Sequence, residues 1–258
     1  MKPRDDGVSS AARDPNEPER DAPRMLGIST FAFAASFAVW IIFSIIGIRI
    51  QDELGLSESE FGLLISMPIL SGSISRLFLG IASDRFGGRI VTAATMLVSA
   101  ASVWLLAWAQ SFPQFLLAGL GLGLAGGTFA TGIAFVSRWY PRTRHGTAFG
   151  LFGMGNVGAA FTNFGAPFLL IAVGWQGTAK LYAVGLALTA GLYFLLTRDD
   201  AETTKRRKTG SRGMTLVQQL APLRKARVWR FSLYYFLFFG GFVALASWLP
   251  RYYMAVYS

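Results

Sequence analysis

Apolar residues gather in seven stretches of this chain, and short polar or charged patches separate them. The stretches cover about residues 27–48, 60–82, 90–109, 113–137, 147–171, 179–197 and 229–253. Most reach the roughly 20 residues that an α-helix needs to cross the hydrocarbon core of a bilayer. The pattern therefore predicts an all-α membrane protein with seven crossings. The patches between them alternate in kind. "RIQDELGLSESE", "QSF" and "GWQGTAK" hold few basic residues, whereas "SDRFGGR", "SRWYPRTRHG" and the long run from Arg198 to Arg230 are strongly basic. Lys and Arg collect in the cytoplasmic loops of membrane proteins, so the N-terminus is expected in the cytoplasm. On that topology Trp104, Trp108, Trp175 and Trp248 fall near one interface. Trp139, Tyr140 and Trp229 fall near the other, as in aromatic belts.

Composition agrees. Of 258 residues 53% are hydrophobic and only 15% charged, more apolar surface than a soluble domain of this size could hide. The net charge of +10 is read as membrane sidedness rather than as a nucleic-acid footprint. There is no Cys, hence no disulfide framework or thiolate chemistry, and the single His145 makes a His-based metal site implausible. No nucleophile–base set, phosphate-binding loop or metal-ligand cluster stands out, so neither an enzyme nor a cofactor is expected.

Four segments follow from the pattern. Residues 1–24 are polar, Pro-rich and of mixed charge and read as a disordered cytoplasmic tail; the charged stretch is too long for a signal peptide. Residues 25–197 form a six-helix bundle, 198–228 a basic linker, and 229–258 the first helix of a second bundle. The linker's end, "MTLVQQLAPLRKARVW", reads as an interfacial amphipathic helix or as a solvated segment. Six spans, a long basic loop and a restart describe half of a 6+6 transporter, so a fragment that lacks its C-terminal half is expected.

Two motifs carry more. "GIASDRFGGR" joins the second and third stretches, with Gly80, Asp84, Arg85, Gly87 and Arg89 at fixed spacing. Gly87 and Gly88 suit a tight turn. Asp84 is placed to accept from a helix N-terminus or to pair with a basic residue. The motif resembles the loop signature of the major facilitator superfamily. That resemblance implies a truncated twelve-helix fold in which this loop helps hold the cytoplasmic gate shut, with Arg138 as the expected partner. The second motif runs "AGLGLAGGTFATGIAFVSRWYPRTRHGTAFGLFGMGNVGAAFTN". Gly126, Gly127 and Phe129, then Ser137, Trp139, Tyr140 and Pro141, then Gly146, Ala148 and Gly150, then Gly153, Gly155, Asn156 and Gly158 resemble the paired signatures of the nitrate/nitrite porter family. Physically, Gly119, Gly123 and Gly127 recur every four residues and form a smooth face on which another helix can pack closely. Gly126, Gly153, Gly155 and Gly158 are expected to serve packing as well.

Arg76 is the one charge deep inside an apolar stretch. Asp84, at the stretch's end, lies eight residues on, about 12 Å along a helix, so Arg76 sits near the bilayer midplane. A charge there costs about 3 kcal/mol or more and needs a partner. Every Asp and Glu lies in the tail, in a loop or at the end of a stretch, which leaves a bound anion or another bundle as the counter-charge. Guanidinium is planar and donates as a fork, a match for an oxyanion. The resemblance implies that Arg76 and Phe129 contact nitrate or nitrite. Asn156 is a further candidate donor, and Phe37, Tyr235 and Phe239 are carried over by approximate spacing. It implies a multi-pass carrier of the bacterial inner membrane that works by alternating access. Absence of Asp, Glu or His within a span leans toward nitrate/nitrite exchange, while span seven leans toward proton-linked import. The rivals are a carrier of another small anion or an organic acid, and a truncated protein that transports nothing.

Overall fold

A computed structural model describes residues 20–200, 203–205 and 216–257. Among them all regular structure is helical. The first crossing is α1 (Ala22–Trp40) and α2 (Phe43–Leu54). The second is α3 (Glu58–Phe86) and the third α4 (Gly88–Leu106). The fourth joins α5 (Phe112–Gly123) to α6 (Thr128–Val136) through a 3-10 turn at Leu124–Gly127. Then come α7 (His145–Gly153), a 3-10 turn at Met154–Val157, and α8 (Gly158–Leu196). After the short α9 (Leu216–Leu220) the chain ends in α10 (Ala226–Tyr257).

The stretch Arg142–Leu196 is helical for 55 residues, about 80 Å of helix and more than twice the thickness of a bilayer core. Gly174 divides it. Its φ of 70° and ψ of 177° lie where only glycine is unstrained, and they turn the chain back. The expected connector "GWQGTAK" is thus a one-residue break, and Trp175 already belongs to the next crossing. Gly87 does the same between α3 and α4, at φ 92°. These two turns give seven crossings among the described residues, numbered spans one to seven below.

Contacts at the span ends fix which ends lie together. Asp84, Arg138 and Asp200 meet at one end, and Glu58 meets Arg251 at the other. We call these the Asp84 end and the Glu58 end. Span two begins at the Glu58 end with a capping box: the Ser57 amide donates to Glu60 Oε2 (2.9 Å) and the Glu60 amide to Ser57 Oγ (3.3 Å).

Span one lies at the centre of the bundle. Its most apolar stretch is 72% buried, against 11% for span seven. Phe33, Phe37, Phe43, Phe115, Phe135, Phe152 and Tyr193 are almost fully buried and make the core aromatic. Span one is also broken, at Ile41–Ile42, which its unbroken apolar run concealed.

Several expectations need correction. Helix α1 starts at Ala22, inside the stretch read as tail; residues 1–19 lie outside the described residues. Helix α10 starts at Ala226, within the stretch read as linker. Of that linker, 201–202 and 206–215 lie outside the described residues, but Asp200 and Thr203 are buried and bonded. The amphipathic segment forms α9 and a 3-10 turn at Ala221–Arg224, with Leu220 and Leu223 exposed. Trp139 and Trp175 are buried in the bundle and do not face lipid, because Trp139 packs on Phe135 and Trp175 donates to Glu53 (2.7 Å). Among the described residues nothing lies within 4 Å of a Cβ built on Gly153, so no neighbour requires a glycine there, and Gly80 is equally open.

Candidate functional site

Spans two and four meet nearly backbone to backbone. A Cβ on Gly123 would fall 2.6 Å from the Pro68 carbonyl oxygen, one on Gly127 3.1 Å from Ser75 Oγ, and one on Gly119 3.7 Å from Met67 Cβ. From the other side, a Cβ on Gly72 would lie 2.7 Å from the Gly123 carbonyl. This close approach, available to small residues alone, lets Arg76 of span two reach span four. Its Nε donates to the Gly126 carbonyl at 3.1 Å. The other helix-packing glycines serve span one: Gly155 abuts Phe33 and the Thr30 carbonyl, and Gly158 abuts Ala34 and Ala38.

Three aromatic faces surround the guanidinium. Its carbon lies 5.5 Å from the Trp40 ring centre, 5.7 Å from Phe129 and 5.2 Å from Phe239. A cation over such faces gains about 0.5–2 kcal/mol each, more as water is excluded. Tyr235 stacks on Phe239 (4.9 Å) and on Phe129 (6.2 Å), and its hydroxyl faces the Arg76 guanidinium closely enough for a hydrogen-bonding interaction. Phe37 lies against Phe239 (6.2 Å) and Trp40 (5.2 Å). Phe37, Phe129, Tyr235 and Phe239 therefore share one cluster with Arg76, on spans one, four and seven. Among the described residues no carboxylate pairs with Arg76, and its buried Nη2 has no hydrogen-bond partner. What the arrangement offers is one guanidinium edge fixed by a carbonyl and one group of the fork unbonded.

Asn156 stands apart in its bonding. Its Nδ2 donates to Gly153 within its own helix (2.8 Å), and its Oδ1 is buried and unpaired. One of the N–H groups expected for a ligand is therefore already engaged.

At the Asp84 end, Arg138 Nη2 meets Asp84 Oδ1 at 2.9 Å. Its Nη1 lies 3.8 Å from Asp200 Oδ1 and donates to Thr203 Oγ1. Asp200 in turn accepts from the Thr203 amide (3.0 Å), so the start of the stretch after span six closes over Arg138. Arg89 donates to the Phe194 carbonyl near the end of span six (2.9 Å) and lies over that ring (4.2 Å). Arg85 lies over Phe86 and takes no part in the cluster of ion pairs. Nearby, burial pushes the Tyr140 phenol above its ordinary range, with Arg144 pulling it partly back, so it stays neutral at physiological pH.

At the Glu58 end, Arg251 of span seven meets both Glu58 oxygens (2.5 and 2.6 Å), donates to Gln51, and lies 4.1 Å from the Phe61 ring centre. The sequence reading missed Trp40, Asp200, Thr203, Gln51, Glu58 and Arg251. Of these only Trp40, a lone indole amid aliphatic residues in mid-span, carried a visible signal.

Seven long apolar crossings mark a multi-pass membrane protein, and the part-buried Arg76 among them has no carboxylate partner among the described residues. The Major Facilitator Superfamily model matches residues 28–258, and the chain belongs to that family. A "Probable nitrate/nitrite antiporter NarK1" of Thermus thermophilus is 39% identical over 260 residues, covering 95% of this chain and 57% of that protein. A "Nitrite extrusion protein" of Bacillus subtilis is 32% identical, covering 88% and 56%. A "Probable nitrate/nitrite transporter NarK2" of Mycobacterium tuberculosis is 33% identical, covering 90% and 58%. The chain thus spans about half the length of the curated relatives it matches. Among solved structures, a bacterial homolog of the human lysosomal transporter Spinster, inward-facing and unoccupied, aligns with a TM-score of 0.66 at 18% identity. The alignment covers 93% of this chain and 57% of that one, and it speaks for the fold alone.

Proposed function

We propose that this chain supplies the Arg-bearing side of a nitrate/nitrite carrier site in the bacterial inner membrane, with its N-terminus in the cytoplasm. The observation that carries the reading is Arg76: a mid-span guanidinium, fixed at Nε, unbonded at Nη2, and without a carboxylate among the described residues. A small anion that accepts from the unbonded Nη2 and lies against the aromatic faces fits that setting. The names of the relatives point to the same substrates. Basic loops at the Asp84 end support the orientation. The mechanism is alternating access, in which a second bundle that begins with span seven packs on the exposed faces of spans two and five and rocks about the midplane. Exchange of nitrate for nitrite is favoured over proton-linked import, because Asp52, Glu53, Glu58, Glu60, Asp84 and His145 lie at the ends of their spans, away from Arg76 near mid-span. A carrier rather than an enzyme is the reading that the family supports.

The test is uptake of labelled nitrate in cells lacking other nitrate carriers, with formate and oxalate as competitors. Arg76→Lys keeps the charge and loses the fork. It is expected to lower uptake more than a hundredfold while the protein still inserts. Uptake within threefold of the wild type would overturn the reading, as would equal competition by oxalate.

A further inference from the structure

Helix α1 ends at Trp40, where span one breaks, and this indole is 3% exposed. Its Nε1–H donates to the Pro68 carbonyl of span two at 2.9 Å. The same edge of the ring fills a slot between two glycines. A Cβ on Gly72 of span two would fall 2.9 Å from Nε1, and one on Gly126 of span four 2.7 Å from Cε2. Gly126 is the residue whose carbonyl accepts from Arg76 Nε. One residue therefore touches the indole with its Cα and the guanidinium with its oxygen.

We propose that Trp40 is the positioning residue of the Arg76 site: it wedges between Gly72 and Gly126, clamps span one to spans two and four, and so sets the height and tilt at which the guanidinium presents its free edge. The proposal rests on Arg76 being the anion-binding group. The geometry has three parts, each necessary. The hydrogen bond to Pro68 fixes the ring's rotation on span two, eight residues before Arg76 on the same helix. The slot fixes the distance between Gly72 and Gly126, and with it the carbonyl that holds Nε. The ring face, 5.5 Å from the guanidinium carbon, closes one side of the cation. Phenylalanine cannot replace the indole here, since the atoms in the slot belong to the five-membered ring and to Nε1–H. An alanine at Gly126 cannot coexist with it, since its Cβ would stand where the ring is.

The test has one arm that needs no anion. In lipid nanodiscs, hydrogen exchange of the Arg76 Nε–H is followed by nitrogen-15 NMR, the signal being assigned by its loss in Arg76→Lys. Exchange is expected to be slow in the wild type and at least tenfold faster in Trp40→Phe and in Gly126→Ala, which displaces the indole from the opposite side. In nitrate uptake both variants should raise KM about fivefold, the scale of one lost hydrogen bond, and leave the maximal rate within twofold. Unchanged Nε–H exchange in both variants overturns the proposal, whatever happens to KM. Faster exchange in a protein whose wild type moves no nitrate leaves Trp40 as the positioning residue and removes nitrate as the substrate. Should Trp40→Phe fail to insert, Gly126→Ala alone decides by the same exchange rate.

Discussion

The two ends of this helical body use the same chemistry differently. At the Asp84 end Arg138 joins elements of one bundle: Asp84 closes span two, Arg138 follows span four, and Asp200 follows span six. The cluster is drawn inward, with Arg138 17% and Asp200 7% exposed. At the Glu58 end Arg251 reaches from span seven to spans one and two, and its partner Glu58 is 76% exposed. Span seven is further held at that end by Asn163, which donates to the Ala246 carbonyl (3.2 Å), and by Trp248, edge-on to Phe61. Toward the Asp84 end the side chains from Trp229 to Leu237 that are described are exposed, and Trp229 bonds back to Leu223 of its own segment. Span seven thus meets the bundle at the Glu58 end and at the Arg76 cluster, and stands away at the Asp84 end. One set of charges holds the six-span bundle together, and the other holds span seven against it. We expect the first to govern stability and the second to govern how closely span seven sits on spans one and two.

The largest expected effect therefore lies at the Asp84 end. Arg138→Ala leaves Asp200 buried without its cation and frees the Thr203 hydroxyl. A buried polar or charged group stripped of its partner costs about 1–3 kcal/mol; half-exposed Asp84 reclaims water and adds little. We expect a loss of about 2 kcal/mol in reversible unfolding in detergent. Arg138→Lys should recover less than half of it, because a single ammonium cannot serve Asp84 and Thr203 from two separate nitrogens. A loss below 0.5 kcal/mol would show that this cluster is no firmer than its counterpart.

Arg251→Ala should show the reverse profile. Exposed pairs contribute about 0–1 kcal/mol, so unfolding should barely move. Distances between spin labels on spans two and seven at the Glu58 end should instead broaden, with a second, longer population appearing. A shift of several-fold in that population requires no more than about 1 kcal/mol. Unfolding that weakens by 2 kcal/mol while the distances stay fixed would erase the distinction between the ends.

Much of this was legible in the sequence, and for a physical reason. Apolar length announces a crossing, since a bilayer is a solvent with a fixed thickness, and Arg76 stands out because charge inside such a run is costly. Gly119, Gly123 and Gly127 were readable as a face, and the structure sets that face on span two. What escaped notice depended on partners far away in sequence. Asp200 looked like one acid in a basic linker, and nothing local says that it meets Arg138. Arg251 and Glu58 are 193 residues apart. Gly126 read as helix packing, whereas its bare Cα receives an indole from span one. Gly153 read the same way, yet among the described residues nothing lies where its Cβ would stand, since a glycine's spacing does not say which side of the helix has a neighbour. Gly174 was hidden by its polar surroundings, because "GWQGTAK" looks like a loop to any reading based on polarity.

The smallest effect we expect is one of salt, and it compares the two ends in a single sample. Raising ionic strength from 0.1 to 1 M shortens the screening length from about 10 to about 3 Å. Screening acts through water, so it acts where ions can reach. Glu58 is mostly in water, and the pair it makes with Arg251 is open to counter-ions on the carboxylate side. Asp200 and Arg138 are covered by the chain itself, and ions reach that cluster only from the side of Asp84. Salt should therefore widen the label distances between spans two and seven at the Glu58 end slightly, while distances between spans two and four at the Asp84 end stay constant. The Arg251 contact does not vanish even then, because its guanidinium also rests on the Phe61 ring and donates to neutral Gln51, and neither interaction needs a counter-charge on Glu58. Glu58→Gln in low salt should accordingly reproduce the high-salt distances and not those of Arg251→Ala. Equal widening at both ends would mean that the Asp84 cluster is as open to ions as its counterpart. No widening at either end would assign the hold on span seven to Phe61, Trp248 and Asn163 rather than to charge.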